Sequence, residues 1–241
     1  MLLDLSLELL QEIGSELTQI DQASLRTVCR DLNGAILPLF FSVLVLKINR
    51  NGLIKDTVQK LEVLGTGGTG WSLHAKTLRI IPVMQNHNIY IKTQLSNDEL
   101  ASLLAAALTA LPRIQTFVHV HVDPKFWECA QAPIFYFLNS CENLRELELM
   151  DMPRTIDLSA LHRVRGLRKF ALKSIWDDSS ARTISGTIST PGIAELISQN
   201  QLHTLRLEGP AEWAPLWRML PFGTLHPIRR THDEPRQSGA F

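Results

Sequence analysis

The sequence predicts an α/β chain in two parts, a small N-terminal helical module followed by a longer, irregular solenoid of alternating short strands and helices. Three observations carry this reading. Amphipathic helical spacing fills the first 45 residues, an LxxLxL grammar recurs between residues 78 and 207, and helix-like segments fall between its copies. The composition agrees: 241 residues, 45% of them hydrophobic, are enough to bury a core. With 24 basic and 24 acidic side chains and no Lys/Arg run longer than two, the chain does not look like a protein that holds nucleic acid by neutralising phosphates.

From Leu5 to Leu17, the apolar residues Leu10, Ile13 and Leu17 fall at i, i+3 and i+7, and Leu9 widens the stripe. Glu8, Gln11, Glu12 and Glu16 occupy the other side, giving a short amphipathic helix. Asp21 suits the N-cap of a second helix in which Leu25, Val28, Cys29 and Leu32 repeat at i, i+3, i+4 and i+7. Gly34 then supplies a stop, and Pro38 closes off further helix before a strand-like run at Phe40 to Ile48. Helices this few bury too little area to stand alone, so a partner or a neighbouring domain should cover their remaining apolar face.

These residues carry a family resemblance. The string Leu5-Ser6-Leu7-Glu8-Leu9-Leu10, then Ile13, Leu17, Asp21, Leu25-Arg26, Val28-Cys29-Arg30, Leu32, Pro38 and Phe40-Phe41 resembles the F-box of fungal-type F-box proteins. That motif is commonly written LPxELLxxI, then LRxVCRxL and a trailing Pro and aromatic. Ser6 stands where the family usually has Pro, and serine can still cap the first helix. The resemblance implies a substrate-recognition subunit of an SCF-type cullin-RING ubiquitin ligase, with no enzymatic activity of its own and no cofactor. Its F-box would bind a Skp-type adaptor through Leu5, Ser6, Leu9, Leu10, Ile13, Leu17, Val28, Cys29 and Leu32. The alternative is that the same residues only pack one end of a larger domain, leaving a non-catalytic repeat scaffold for protein interaction.

Beyond residue 45 the repeat grammar is clearest at Leu144, Leu147 and Leu149, at Leu167, Phe170 and Leu172, and at Leu202, Leu205 and Leu207. A weaker copy reads Leu78, Ile81 and Val83, and a degenerate one has Ile114 and Phe117 with His119 in an aliphatic position. Between them, Ser96 and Glu99 form a capping box for a helix running to Pro112. Thr190-Pro191 starts another helix with Ile193, Leu196 and Ile197 inward and Asn200 near its stop, and Ala132 to Leu138 makes a third outer segment. Residues 46–220 thus resemble a leucine-rich-repeat domain, with 1–45 as the F-box-like module and 221–241, which lack periodicity, as a flexible tail. The segment around Trp213 and Trp217 is a candidate end cap.

If the repeat aliphatics point inward, period-two alternation turns the residues between them to the concave face. The expected substrate surface is Glu146, Glu148 and Met150, Lys169 and Lys173 with Ala171 between, and Thr204, Arg206 and Glu208, continued by Ile80, Pro82 and Met84. Pairs of the Glu148 and Lys173 kind could equally just solvate each other across the sheet.

Other chemistry is weakly signalled. Gly65 to Gly70 contains four glycines but lacks the Lys-Ser/Thr of a phosphate loop, and reads as a flexible surface loop; a nucleotide-dependent enzyme is the remote alternative. His119 and His121 could hold a metal if Asp123 joined them, but exposed strand histidines are the simpler reading. Cys29, Cys129 and Cys141 lack ligand or disulfide spacing and are expected as reduced, buried thiols. Ser179, Ser180, Ser185 and Ser189 lie in a polar stretch open to phosphorylation. The N-terminus lacks the features of a signal peptide, so the expected location is cytoplasmic, nuclear or both, with a protein substrate and neither nucleic acid nor membrane as partner.

Overall fold

The computed structural model describes residues 5–49, 52–83, 95–121, 124–152, 156–174, 190–209 and 213–220. Met84, Asp123, the four serines from Ser179 to Ser189 and the expected tail at 221–241 lie outside them.

Helix α1 (Leu7–Ser15) starts where the Ser6 hydroxyl accepts the Leu9 N–H at 3.4 Å. Helix α2 (Gln19–Arg26) is capped by Thr18 rather than by Asp21. The Thr18 hydroxyl accepts the Asp21 N–H at 3.3 Å and donates to the Asp21 carboxylate at 2.6 Å. The helix expected from Leu25 through Leu32 breaks in between: Thr27 turns its hydroxyl back to the Ser24 carbonyl, and two β-branched residues in succession favour a turn. Cys29, in extended conformation, then precedes α3 (Arg30–Phe40), which runs through both Gly34 and Pro38. Burial of Leu32, Ala35 and Ile36 against Leu10 offsets what those two residues cost a helix.

The remaining elements alternate. Strands β1 (Val43–Asn49) and β2 (Gly52–Leu53) are followed by helices α4 (Lys55–Gly65) and α5 (Gly70–His74). Then come β3 (Thr77–Pro82), α6 (Asn97–Thr109), β4 (Thr116–Val120), α7 (Pro124–Ser140) and β5 (Glu146–Met152). A 3-10 turn at Ser159–Leu161 leads to β6 (Lys169–Ser174), α8 (Thr190–Ser198), β7 (Thr204–Glu208) and α9 (Ala214–Met219). The expected capping box forms at α6, with the Ser96 N–H donating to Glu99 at 2.7 Å. At the far end α9 packs on α8 and buries Trp213 and Leu216. Among the described residues no helix is long and apolar enough to cross a membrane.

The strands form one sheet in the order β2-β1-β3-β4-β5-β6-β7. Strands β1 and β3 to β7 are all parallel, and each pairs with the next in the chain, while short β2 is antiparallel to β1. The ladder aligns Leu44, Leu78, Phe117, Leu147, Phe170 and Leu205 in one row. The next inward row holds Leu46, Ile80, His119, Leu149, Leu172 and Leu207. Both rows pack against the helices in a single core, and the alternate residues face away from it.

This register corrects the expected frame at β3. The repeat begins at Ala75, so Leu78 and Ile80 are buried and Arg79 and Ile81 take the open side. A further copy, Phe41, Leu44 and Leu46, precedes it. Asn200, read only as a helix stop, is a buried clamp. Its amide donates to the carbonyls of Val164 (3.1 Å) and Leu196 (2.7 Å), and its oxygen accepts the Leu167 N–H at 2.9 Å. Replacing Asn200 with Ala orphans the Leu167 N–H and the Leu196 carbonyl, while the Val164 carbonyl keeps the Arg165 guanidinium at 3.1 Å, and urea denaturation should show a loss of about 2 kcal/mol; a loss within about 0.5 kcal/mol, the range of ordinary surface changes, would exclude a clamp.

Candidate functional site

Two surfaces stand out, one on the helical module and one on the open face of the sheet. On α1, Leu9 and Ile13 are spaced four apart and so share a face, and both are exposed, as is Leu5 just before the helix. Ile20 on α2 and Val28 in the following turn are more exposed still, at 79% and 68%. Leu7 and Ile20, also exposed, were not among the expected docking residues. Of the nine expected docking residues, Leu10 and Leu32 are buried in the module's own core, with Cys29 and Leu17 only partly accessible. They support the strip from behind and do not form it. Ser6 is exposed and serves as the cap.

The module is tied to the sheet by stacked side chains. The Arg26 guanidinium lies over the rings of Phe40 and Phe41, at 4.4 and 4.9 Å, and is held by the Asn33 side chain through its Nε at 3.1 Å. Phe41 meets Trp71 edge-on at 5.0 Å, and Trp71 packs on the main core. Here the glycine-rich stretch has a structural use. Gly67 and Gly68 adopt positive φ, Thr69 caps α5, and a Cβ on Gly70 would come within 2.3 Å of the Phe41 ring. A helix does start after these glycines, and the stretch is a joint between the two parts rather than a loose loop. Arg26 was visible in sequence as part of a motif but carried no sign of this role.

On the open face, the expected residues alternate outward as strand geometry requires. Glu146, Glu148 and Met150 are half-buried, Lys173, Thr204 and Arg206 exposed, and Ala171 is covered by its neighbours. Lys169 sits between two carboxylates, 2.5 Å from Glu148 and 3.7 Å from Glu146, and its hydrogen bond to Glu148 raises its pKa. Lys173 pairs with Asp151 at 3.4 Å, not with Glu148. A register shift between Leu149 and Met152 makes room for that pair: two residues fit between consecutive buried positions, and Asp151 takes φ 56°. Arg206 pairs with Glu208 on its own strand. Among the described residues the face is a band of part-exposed, interlocked charges.

No protein-family model matches the chain, and no curated protein matches its sequence.

The histidines are not exposed strand residues. His119 is fully buried, stacked on Trp127 at 5.0 Å, and neither ring nitrogen has a hydrogen-bond partner among the described residues. Burial and the neighbouring His121 push its pKa down to about 3 from 6.5. Among the described residues no three His, Cys, Asp or Glu side chains converge on a metal position. None of the three thiols forms a disulfide: Cys29 and Cys129 are half-buried, the latter donating to the Phe126 carbonyl at 3.1 Å, and Cys141 is buried with its pKa pushed up to about 12. Because His119 stays neutral in the native state while the unfolded chain protonates near 6.5, its contribution is whole above that pH and is lost as pH falls toward about 3. His119→Leu should raise stability at pH 7 and flatten the acid limb, which in the parent steepens by up to about 1.4 kcal/mol per pH unit. Thermal melts from pH 4 to 7 check this, and parallel acid limbs in parent and variant would refute it.

Proposed function

We propose that the chain is the substrate-recognition subunit of an SCF-type cullin-RING ubiquitin ligase. In this reading the first 45 residues are an F-box that binds a Skp-type adaptor, and the sheet domain is a leucine-rich-repeat-like solenoid that holds a protein substrate. The observation that carries it is the set of exposed apolar residues on α1, with Val28 exposed as well, on a module whose own core is complete without them. Apolar side chains left in water on a small helical unit favour a partner of complementary shape.

The sheet supports the second half. A parallel sheet normally has both faces covered, whereas among the described residues helices cover one and the other presents charged and polar residues across consecutive strands. Such a band recognises a folded partner by complementary charge more than by apolar burial. The subunit itself performs no chemistry. Holding adaptor and substrate in one stiff unit raises the local concentration of substrate lysines near the charged conjugating enzyme, and the Arg26, Phe41 and Trp71 stack supplies the stiffness.

Because Ile13 and Val28 are exposed, an aspartate at either position leaves the module's packing intact. Ile13→Asp and Val28→Asp should each weaken capture of purified Skp adaptor by about thirtyfold or more in calorimetry, with unchanged circular dichroism. Failure of the parent chain to bind adaptor, or full binding by both variants, would remove the ligase reading and leave a repeat scaffold.

A further inference from the structure

The turns that deliver the chain into the parallel strands lie together on one edge of the sheet, and their backbone is aligned by hydrogen bonds. The N–H of Gln115 donates to the Lys76 carbonyl, Arg145 to Gln115 and Arg168 to Arg145, each at 2.7 Å, and His203 to Arg168 at 2.8 Å. Residues scattered along the sequence therefore stand in one row, from Lys76 to His203, spanning roughly 19 Å at the usual strand spacing. Around that row the same turns carry Arg113, Arg163 and Arg165, so six cations share the edge, and Glu142 is the one carboxylate in these turns.

None of the six has a carboxylate partner among the described residues, where the ion pairs all lie elsewhere. Helix C-termini end here, and cations at such ends are locally favourable. That accounts for some of the guanidinium positions: Arg113 donates to the Leu73 carbonyl at 3.0 Å, Arg145 to Gly166 at 3.2 Å and Arg165 to His162 at 2.6 Å. Carbonyl contacts hold a guanidinium in place without cancelling its charge. Lys76, Arg163 and Arg168 are exposed and make no side-chain hydrogen bond among the described residues. At the starts of β5, β6 and β7 the edge is hollowed into a recess of about 450 Å³ lined by Arg145, Arg168, Gln199, Gln201 and His203.

We infer that this edge is a second binding surface, separate from the open face, for an extended acidic peptide segment. A run of about six extended residues matches the row in length, and glutamate or aspartate side chains would face guanidinium groups already fixed in position. One exposed aromatic ring, Tyr136, borders the edge beside Pro112, Glu142 and Asn143, and a single ring outside the row is not the succession of platforms on which bases stack, which favours a peptide over a single-stranded nucleic acid. One exposed apolar side chain, Leu73, stands beside Arg113, far less apolar surface than a helix lying in a bilayer interface presents. The neutral chain has little long-range field, so the edge acts at contact distance.

The test is fluorescence anisotropy of the full chain with a labelled deca-glutamate peptide, a labelled deca-serine control and a labelled ten-nucleotide RNA. The glutamate peptide should bind, the control should not, and raising salt from about 50 to 300 mM should weaken binding several-fold. The double variant Lys76→Glu/Arg168→Glu should bind at least about tenfold more weakly and Lys76→Gln/Arg168→Gln should fall between. Lys55→Glu, at the exposed start of α4 and away from the edge, should bind like the parent. The inference is overturned if the glutamate peptide does not bind, if both double variants bind it undiminished while folded by circular dichroism, or if RNA binds more tightly and is lost in the same variants.

Discussion

The in-register parallel ladder, in which each strand hydrogen-bonds to the next one in the chain, is the constraint on which everything else depends. Once Leu44, Leu78, Phe117, Leu147, Phe170 and Leu205 share a row, the two-residue period decides which side chains meet the helices and which remain outside. A slip of one residue in any strand would carry its aliphatics to the open face and its charges into the core. The same ladder brings Lys169 between Glu146 and Glu148 and lines up the residues that begin each strand. The charged band, the basic edge and the buried face are consequences of one register.

Two features modify that regular pattern, and each places something specific. The irregularity before Met152 lets Asp151 reach Lys173, which closes the charge pairing at one end of the band. His119 puts an imidazole where every other strand of its row has an aliphatic residue. At neutral pH burial keeps that ring uncharged, and it stacks on Trp127, with no hydrogen-bond partner for its nitrogens among the described residues. Nearer the N-terminus, Arg26 links the helical module to the sheet through three aromatic rings.

Much of this was legible in the sequence where the signal was chemically redundant. The run containing Leu144, Leu147 and Leu149 has leucine at all three positions, and the frame there matches the structure. At β3 the first position is Ala75, too small to register as part of the pattern, so the frame read from Leu78 was displaced by three residues. At β1 the first position is aromatic, and the copy was missed as a repeat. In the helical module, spacing alone could not distinguish residues facing the module's core from those facing a partner, which is why Leu10 and Leu32 stood beside Leu9 and Ile13. The break at Val28 came from a local hydroxyl contact, and the bulge at Asp151 had no sequence sign. The basic edge was hidden because its cations are separated by whole repeats and balanced by acids in a chain of zero net charge.

The most direct measurement of the central claim, that the exposed strip of the helical module is the adaptor's docking face, is amide hydrogen exchange of the full chain with and without purified Skp adaptor. Slowed exchange confined to residues 5–28, with the strands from β1 to β7 unchanged, is the expected result. Unaltered exchange across 5–28, or protection centred on the open face of the sheet, would contradict it.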